Sequence, residues 1–181
     1  MADPIDAWHM EQRYFRRLLA LPHKQVDVFH TGEQPNYELM LDIVSYLRDY
    51  TDQVHHPRED VAFKRVAKHH PDLALVLNRL TQEHRVIAQA GETLRQLLQG
   101  IIGGAIIART EVEMAAATYL VYYGNHIAKE EEDILDRAAQ AHTKKDWEDV
   151  RSAVSAVNDP LLHDGVEERY RELRRQIALE V

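Results

Sequence analysis

The segment from Leu73 to Leu98 has an apolar or small residue at every third or fourth position along one face, with a single histidine among them. These positions are Leu73, Leu77, Leu80, His84, Ile87, Gly91, Leu94 and Leu98. Because an α-helix completes a turn every 3.6 residues, this spacing forms a single apolar stripe along one long helix. The segment therefore predicts a helix buried along one face, with a histidine at a position where leucine is expected.

Three other long segments have the same helical spacing, and glycine or proline separates them. The first follows the start signal Asp3-Pro4, runs to about His30, and includes Pro22, which predicts a kink or break. Its inward positions are Trp8, Gln12, Phe15, Leu19, Pro22, Val26 and Phe29. Gln12 is the polar exception among them.

The second segment begins after Pro35 and continues to about Lys68, and Pro57 is expected to disturb it locally. Its inward positions are Met40, Val44, Leu47, Thr51 and His55. The fourth follows a connection from Gly100 to Thr110 and carries the stripe Val112, Ala116, Tyr119, Tyr123, His126, Glu130 and Asp133. Both stripes place a histidine among core positions.

Four long helices with short connections favour an all-α, up-down-up-down four-helix bundle. Thr143 and Asp146 resemble a capping box for a short fifth helix ending near Val157. A charged amphipathic segment from about Asp164 to Leu179 is expected to pack on the outside. We predict one domain over residues 1–181, with the bundle at about 4–141 and a C-terminal extension at about 144–181.

Composition excludes several classes of partner. The net charge is −8 and no Lys/Arg cluster forms a basic patch, so nucleic acid is not expected. The most apolar run, Leu97 to Ala108, is shorter than the ~20 residues of a membrane-spanning helix. The first residues lack a signal-peptide pattern, so we expect a cytoplasmic location. The absence of cysteine leaves His and carboxylates as the only strong metal ligands.

Distances along the chain from each loop place four polar residues at one depth of the bundle. Gln12 precedes the first loop, Thr31 to Pro35, by almost the same length of chain as His55 follows it. His55 and His84 are equally far from the turn at His69-His70. His84 precedes the third connection by the same length as His126 follows it. Gln12, His55, His84 and His126 are therefore expected to form one layer.

Two of the layer's histidines have a glutamate one helical turn later: Glu59 follows His55, and Glu130 follows His126. This spacing places each glutamate on the same helix face as its histidine. Buried carboxylates need partners or a metal ion. Mixed imidazole and carboxylate ligands suit iron, manganese or zinc. The pattern predicts a metal site formed by His55, Glu59, His84, His126 and Glu130.

Several motifs resemble those of the bacterial hemerythrin-like HHE cation-binding family. The motifs are His55-His56-x-x-Glu59, Glu83-His84, His126-x-x-x-Glu130-Glu131, Phe29-His30-x-Gly32-Glu33-x-Pro35, Tyr46-Leu47-Arg48-x-Tyr50 and Gly104-Ala105-Ile106. The resemblance covers most of the chain. It implies a four-helix bundle holding a non-haem di-iron centre with carboxylate bridges. It also implies a function among O2 binding, iron or redox sensing and detoxification.

The chain departs from this family on its first helix. Gln12 stands where the family has a histidine, within Glu11-Gln12-Arg13, and either His9 or His56 is an alternative ligand. The third helix has one histidine where O2-carrying hemerythrins have two, so stable O2 carriage is not favoured. Two irons, an asymmetric site and a single metal all stay open.

Two functional hypotheses follow. The first is an iron protein, with two ions as the favoured number, that binds or senses O2, NO, peroxide or iron; open coordination positions would allow weak oxidase or peroxidase activity. The second is a metal-poor helical bundle acting as an interaction or structural module. The sequence indicates no protein partner and does not predict an enzyme.

Overall fold

The computed structural model describes residues 4–141, 143–153, 159, 161 and 168–179. Four helical columns form the bundle. The first is α1 (Pro4–Val28), and the second joins α2 (Tyr37–Tyr46), a π-helical stretch (Leu47–His55) and α3 (His56–His69). The third is α4 (Ala74–Ile102), preceded by a 3₁₀ turn (Pro71–Leu73), and the fourth is α5 (Arg109–Asp133).

The columns pack in the order of a closed four-helix bundle. Helix α1 packs against α2 and α5, and α4 packs against α2 and α5. The described residues form helices and connecting turns without a β-strand, which confirms the predicted all-α bundle. Among the described helices, none combines the length and apolar composition needed to cross a bilayer.

Pro22 does not break the first helix. Helix α1 runs through Pro22 to Val28, so the predicted break is wrong. Leu18, Leu19 and Leu21 are each at most 5% exposed, and their packing holds the helix together across the lost backbone hydrogen bond.

The disturbance expected at Pro57 is found as the π-helical stretch before it. Pro57 has no N–H to donate to the preceding turn, and the nine residues up to His55 adopt the wider π-helical winding. His55 and His56 are adjacent in sequence, yet each is only 4% exposed. The second column therefore presents two consecutive histidines to the interior.

The third column confirms the predicted stripe. All eight inward positions from Leu73 to Leu98 are buried, including His84 and Gly91. Gly91 lies against the ring of Tyr119 on α5: a Cβ atom at this glycine would come within 2.9 Å of Tyr119 Cε2. The missing side chain lets α4 and α5 approach closely just beyond the histidine layer.

We expect Gly91→Ala to lower the free energy of unfolding by about 1–3 kcal/mol, because the added methyl group overpacks the buried Tyr119 ring. Chemical denaturation measures this change. The matched control is Gly124→Ala on α5, where nothing lies within 4 Å of an added Cβ. The control should be stabilised by up to about 1 kcal/mol, since alanine is the better helix former. Equal stabilisation of both variants would contradict the close approach.

The C-terminal helices pack on the outside of the bundle. Helix α6 (Leu135–Ala141) follows α5 directly, and α7 (Lys144–Ser152) begins with the predicted capping box of Thr143 and Asp146. Helix α7 ends before Val157, which lies outside the described residues. Helix α8 (Glu168–Leu179) packs against α2, and the predicted start of this segment at Asp164 also lies outside the described residues.

Candidate metal centre

Two glutamates lie at the centre of the histidine layer. Glu59 and Glu130 are each 1% exposed. His55 Nε2 lies 2.8 Å from Glu59 Oε1, and His84 Nε2 lies 3.3 Å from Glu59 Oε2. On the other glutamate, Glu130 Oε1 lies 3.1 Å from His126 Nε2 and 3.7 Å from His84 Nε2. The five predicted site residues therefore form one continuous network, with His84 between the two carboxylates.

Helix α1 supplies hydrogen-bond donors to this network where the family pattern has a histidine. Gln12 is fully buried, and its Nε2 donates to Glu130 Oε2 at 2.6 Å. Trp8, one turn earlier, donates from its indole N–H to Glu59 Oε1. Gln12 thus lies in the same layer as the three histidines, as its distance from the first loop predicted. His9 is only half-buried and is not part of the buried cluster found among the described residues.

His56 lies inside the cluster, where the sequence offered it only as a substitute ligand. One ligand atom from each of His56, Glu59, His84 and His126 lies within 4.8 Å of the others. The His56 and His84 rings stack with centroids 4.1 Å apart and planes at 9°. Two of the predicted ligands, His55 and Glu130, are not in this group of four. His55 contacts it through Glu59, and Glu130 contacts it through His126. The π-helical stretch, which the sequence pattern did not predict, accounts for this placement.

A carboxylate on the outer side orients each of the three predicted histidines. The Nδ1–H groups of His55 and His126 donate to Glu11 Oε2 at 2.8 Å and Glu83 Oε2 at 3.2 Å. His84 Nδ1–H donates to Asp60 Oδ1 at 3.0 Å. Each of these three bonds holds a proton on Nδ1 and turns Nε2 of the same ring toward the glutamates, as in many metal sites.

The orienting carboxylates were not identified from sequence. Glu83 directly precedes His84 and Glu11 directly precedes Gln12, but the helical pattern places such neighbours on the solvent side. His56 has a similar neighbour: its Nδ1 lies 3.2 Å from Asp52 Oδ1, without hydrogen-bond alignment. The sequence signal was that each of these acidic residues is next to a residue of the layer or its glutamates: Glu11 next to Gln12, Asp60 next to Glu59 and Glu83 next to His84.

The electrostatics follow from burial and these pairings. Burial lowers the pKa of His55, but Glu59 and Glu11 raise it to about 10. Burial also lowers the pKa values of His84 and His126, but their carboxylate neighbours raise them to about 11 and about 9, respectively. Burial raises the pKa of Glu11, yet His55 and Arg58 lower it to about 2. Because a cation at Nε2 displaces the proton there, metal binding at this cluster releases protons.

The unpaired polar atoms of the cluster fit a bound cation. Several buried atoms lack a hydrogen-bond partner, and they are Gln12 Oε1, His56 Nδ1, Glu59 Oε2, His84 Nε2, Tyr123 Oη, His126 Nε2 and Glu130 Oε1. The Nε2 atoms lie near carboxylates but are misaligned for hydrogen bonds. Unpaired buried polar groups are costly, and a cation held by these N and O atoms removes that cost. The donor set suits iron, manganese or zinc.

The family comparison agrees with this geometry. A family model described as the hemerythrin HHE cation binding domain matches residues 3–138, which include α1 to α5 and every residue of the cluster. Searches among curated proteins and among solved structures give no significant match. The bundle, the buried histidine layer and the matched range lead to one conclusion: the chain belongs to the hemerythrin HHE cation-binding domain family.

Proposed function

We propose that this protein binds non-haem iron, as two ions, and uses it to bind or sense O2, NO, peroxide or the iron level. The observation that supports the proposal most strongly is the set of unpaired N and O atoms on buried residues from all four columns of the bundle. The proposed ligands are His55, Glu59, His84, His126 and Glu130, and we add His56. Manganese and zinc are the alternative metals.

The contacts of the two glutamates support two neighbouring ions. Glu59 lies between His55 and His84, and Glu130 lies between His84 and His126. The two oxygens of each carboxylate have different neighbours: those of Glu59 lie near His55 and His84, and those of Glu130 lie near His126 and Gln12. Each carboxylate could therefore bind one ion or bridge two. Bound iron supplies a redox-active Lewis acid to which a small ligand can coordinate. The histidines contribute neutral donors, and the glutamates balance the charge of the ions.

The bonds from α1 favour a second candidate. Gln12 and Trp8 each satisfy one oxygen of a buried glutamate without a metal. A bundle stabilised in this way could serve as an interaction module that does not bind metal at its centre. Two features argue against this candidate. Several buried atoms of the cluster stay unpaired, and carboxylates hydrogen-bond the outer nitrogens of the buried histidines, as at metal sites.

Metal analysis separates the two candidates. The protein is purified anaerobically from iron-supplemented cells, its metal content is measured, and an absorption spectrum is recorded before and after exposure to air. We expect about two irons per chain and a spectrum that changes with O2. Less than about a tenth of an iron per chain, unchanged by reconstitution, would contradict the iron proposal, because a preformed ligand set of this kind retains its metal.

A further inference from the structure

A crevice connects the surface of the bundle with the histidine layer. It lies between the second and third columns and has a volume of about 170 Å³. Its walls include Asp52, His56 and Asp60 on one side and His84, Arg85 and Ala88 on the other. The crevice is therefore lined on both sides by residues of, or adjacent to, the candidate metal centre.

The stacked rings of His56 and His84 belong to residues that line the crevice. Both residues belong to the group of ligand atoms lying within 4.8 Å of one another. His56 is 4% exposed, and its Nδ1, buried beside the crevice wall, has no hydrogen-bond partner. The crevice is thus lined by two histidines of the cluster, one of which has a buried nitrogen without a hydrogen-bond partner, and this distinguishes it from an ordinary surface groove.

The size and charge of the crevice fit a small hydrated cation. The volume is large enough for several water molecules, and therefore for an ion that keeps part of its hydration shell. The crevice is lined by two acidic residues, Asp52 and Asp60, and by one basic residue, the exposed Arg85. The carboxylate oxygens can replace part of the hydration shell of a divalent ion. The room itself depends on Ala88, a small residue one turn after His84.

We propose that this crevice is the entrance through which divalent transition-metal ions reach the cluster, with Asp52 and Asp60 as the first groups they meet. The inference rests on the proposed iron-binding function and adds a route to it. It assigns Ala88 a role in keeping the entrance open. It assigns Arg85 a role in limiting the attraction of cations to the entrance.

The first test blocks the entrance and measures the rate of metal uptake. Metal-free protein is mixed with Co²⁺ in a stopped-flow instrument, and the growth of the Co²⁺ absorption bands gives the rate and the final stoichiometry. Ala88→Phe is expected to slow uptake at least about tenfold, because entry then requires local opening, and to leave the final stoichiometry unchanged. The matched control is Gln89→Phe, at an exposed neighbouring position outside the crevice, which should load at the wild-type rate.

The second test changes the charge at the entrance and does not depend on how Ala88→Phe folds. Arg85→Glu is expected to speed Co²⁺ uptake about threefold to tenfold at low salt, and the gain should disappear at high ionic strength. Arg13→Glu makes the same charge change at an exposed position of α1 that does not line the crevice, and it should have little effect.

The outcomes separate the entrance from the metal site. Slower uptake by Ala88→Phe together with faster uptake by Arg85→Glu supports the entrance. Wild-type rates in both variants, with Co²⁺ still bound, would overturn the entrance and leave the iron proposal intact. Failure of the wild-type protein to bind either Co²⁺ or iron would overturn both.

Discussion

Glu130→Gln is expected to weaken iron binding at least about a hundredfold, since loss of an orienting partner alone costs tenfold to a hundredfold at metal sites. Glu130 is 1% exposed and lies between His84 and His126. Glutamine keeps the size of the side chain but loses the negative charge that balances the ions. Its amide group also presents N–H donors where the cluster needs acceptors. Metal content after reconstitution and a competition titration with a chelator measure the loss.

The neighbouring residue gives a matched control. Glu131 has the same chemistry and the next position on α5, but its carboxylate pairs with Arg16 at the surface, with Nη2 and Oε2 2.6 Å apart. Glu131→Gln should bind as much iron as the wild-type protein, because a surface ion pair contributes little. Equal iron content in the two variants would show that Glu130 is not a ligand.

Removal of metal is expected to lower the melting temperature by about 10 °C. An ion present at about a thousand times its dissociation constant stabilises the native state by about 4 kcal/mol. For a chain of this size, each kcal/mol changes the melting temperature by about 2–4 °C. The gain arises at the cluster, because the bound ion supplies partners to buried atoms that otherwise have none. Calorimetry or circular dichroism, with and without chelator, measures the difference.

The Glu130→Gln variant distinguishes specific from general stabilisation. Its melting temperature should respond little to added iron, whereas Glu131→Gln should respond like the wild-type protein. A similar shift in all three proteins would mean that iron stabilises the bundle at some other place. No shift in any of them would favour the metal-poor module, in which Gln12 and Trp8 suffice to hold the glutamates.

The helical positions of the cluster were predictable because helix periodicity is a local property. The stripe from Leu73 to Leu98 placed His84 in the core, and equal distances from each loop placed His55 and His126 at its depth. In the structure His55 and His84 lie next to Glu59, and His84, His126 and Gln12 lie next to Glu130. The burial of His84 and the common depth of the histidines both depend only on spacing along the chain, and the sequence gives that spacing directly.

Other features depend on how segments far apart in sequence meet. The proline at position 22 predicted a kink or break, yet α1 continues through it, with buried leucines packed just before it. An α-helical pattern points either His55 or His56 inward, and the π-helical stretch turns both toward the core. Glu11, Asp60 and Glu83 read as solvent-facing residues until the columns pack, when each meets a histidine on another column.

The sequence by itself determined the four helical columns, the depth of the histidine layer and the pairing of His55 with Glu59 and of His126 with Glu130. These follow from the spacing of residues within one helix and from their distances to the loop that joins it to the next. The tertiary structure decided that His56 joins the cluster, that carboxylates orient its histidines and that a crevice reaches it. The rotation of each column and the contacts across the bundle set those features, and both are settled only when all four columns pack together.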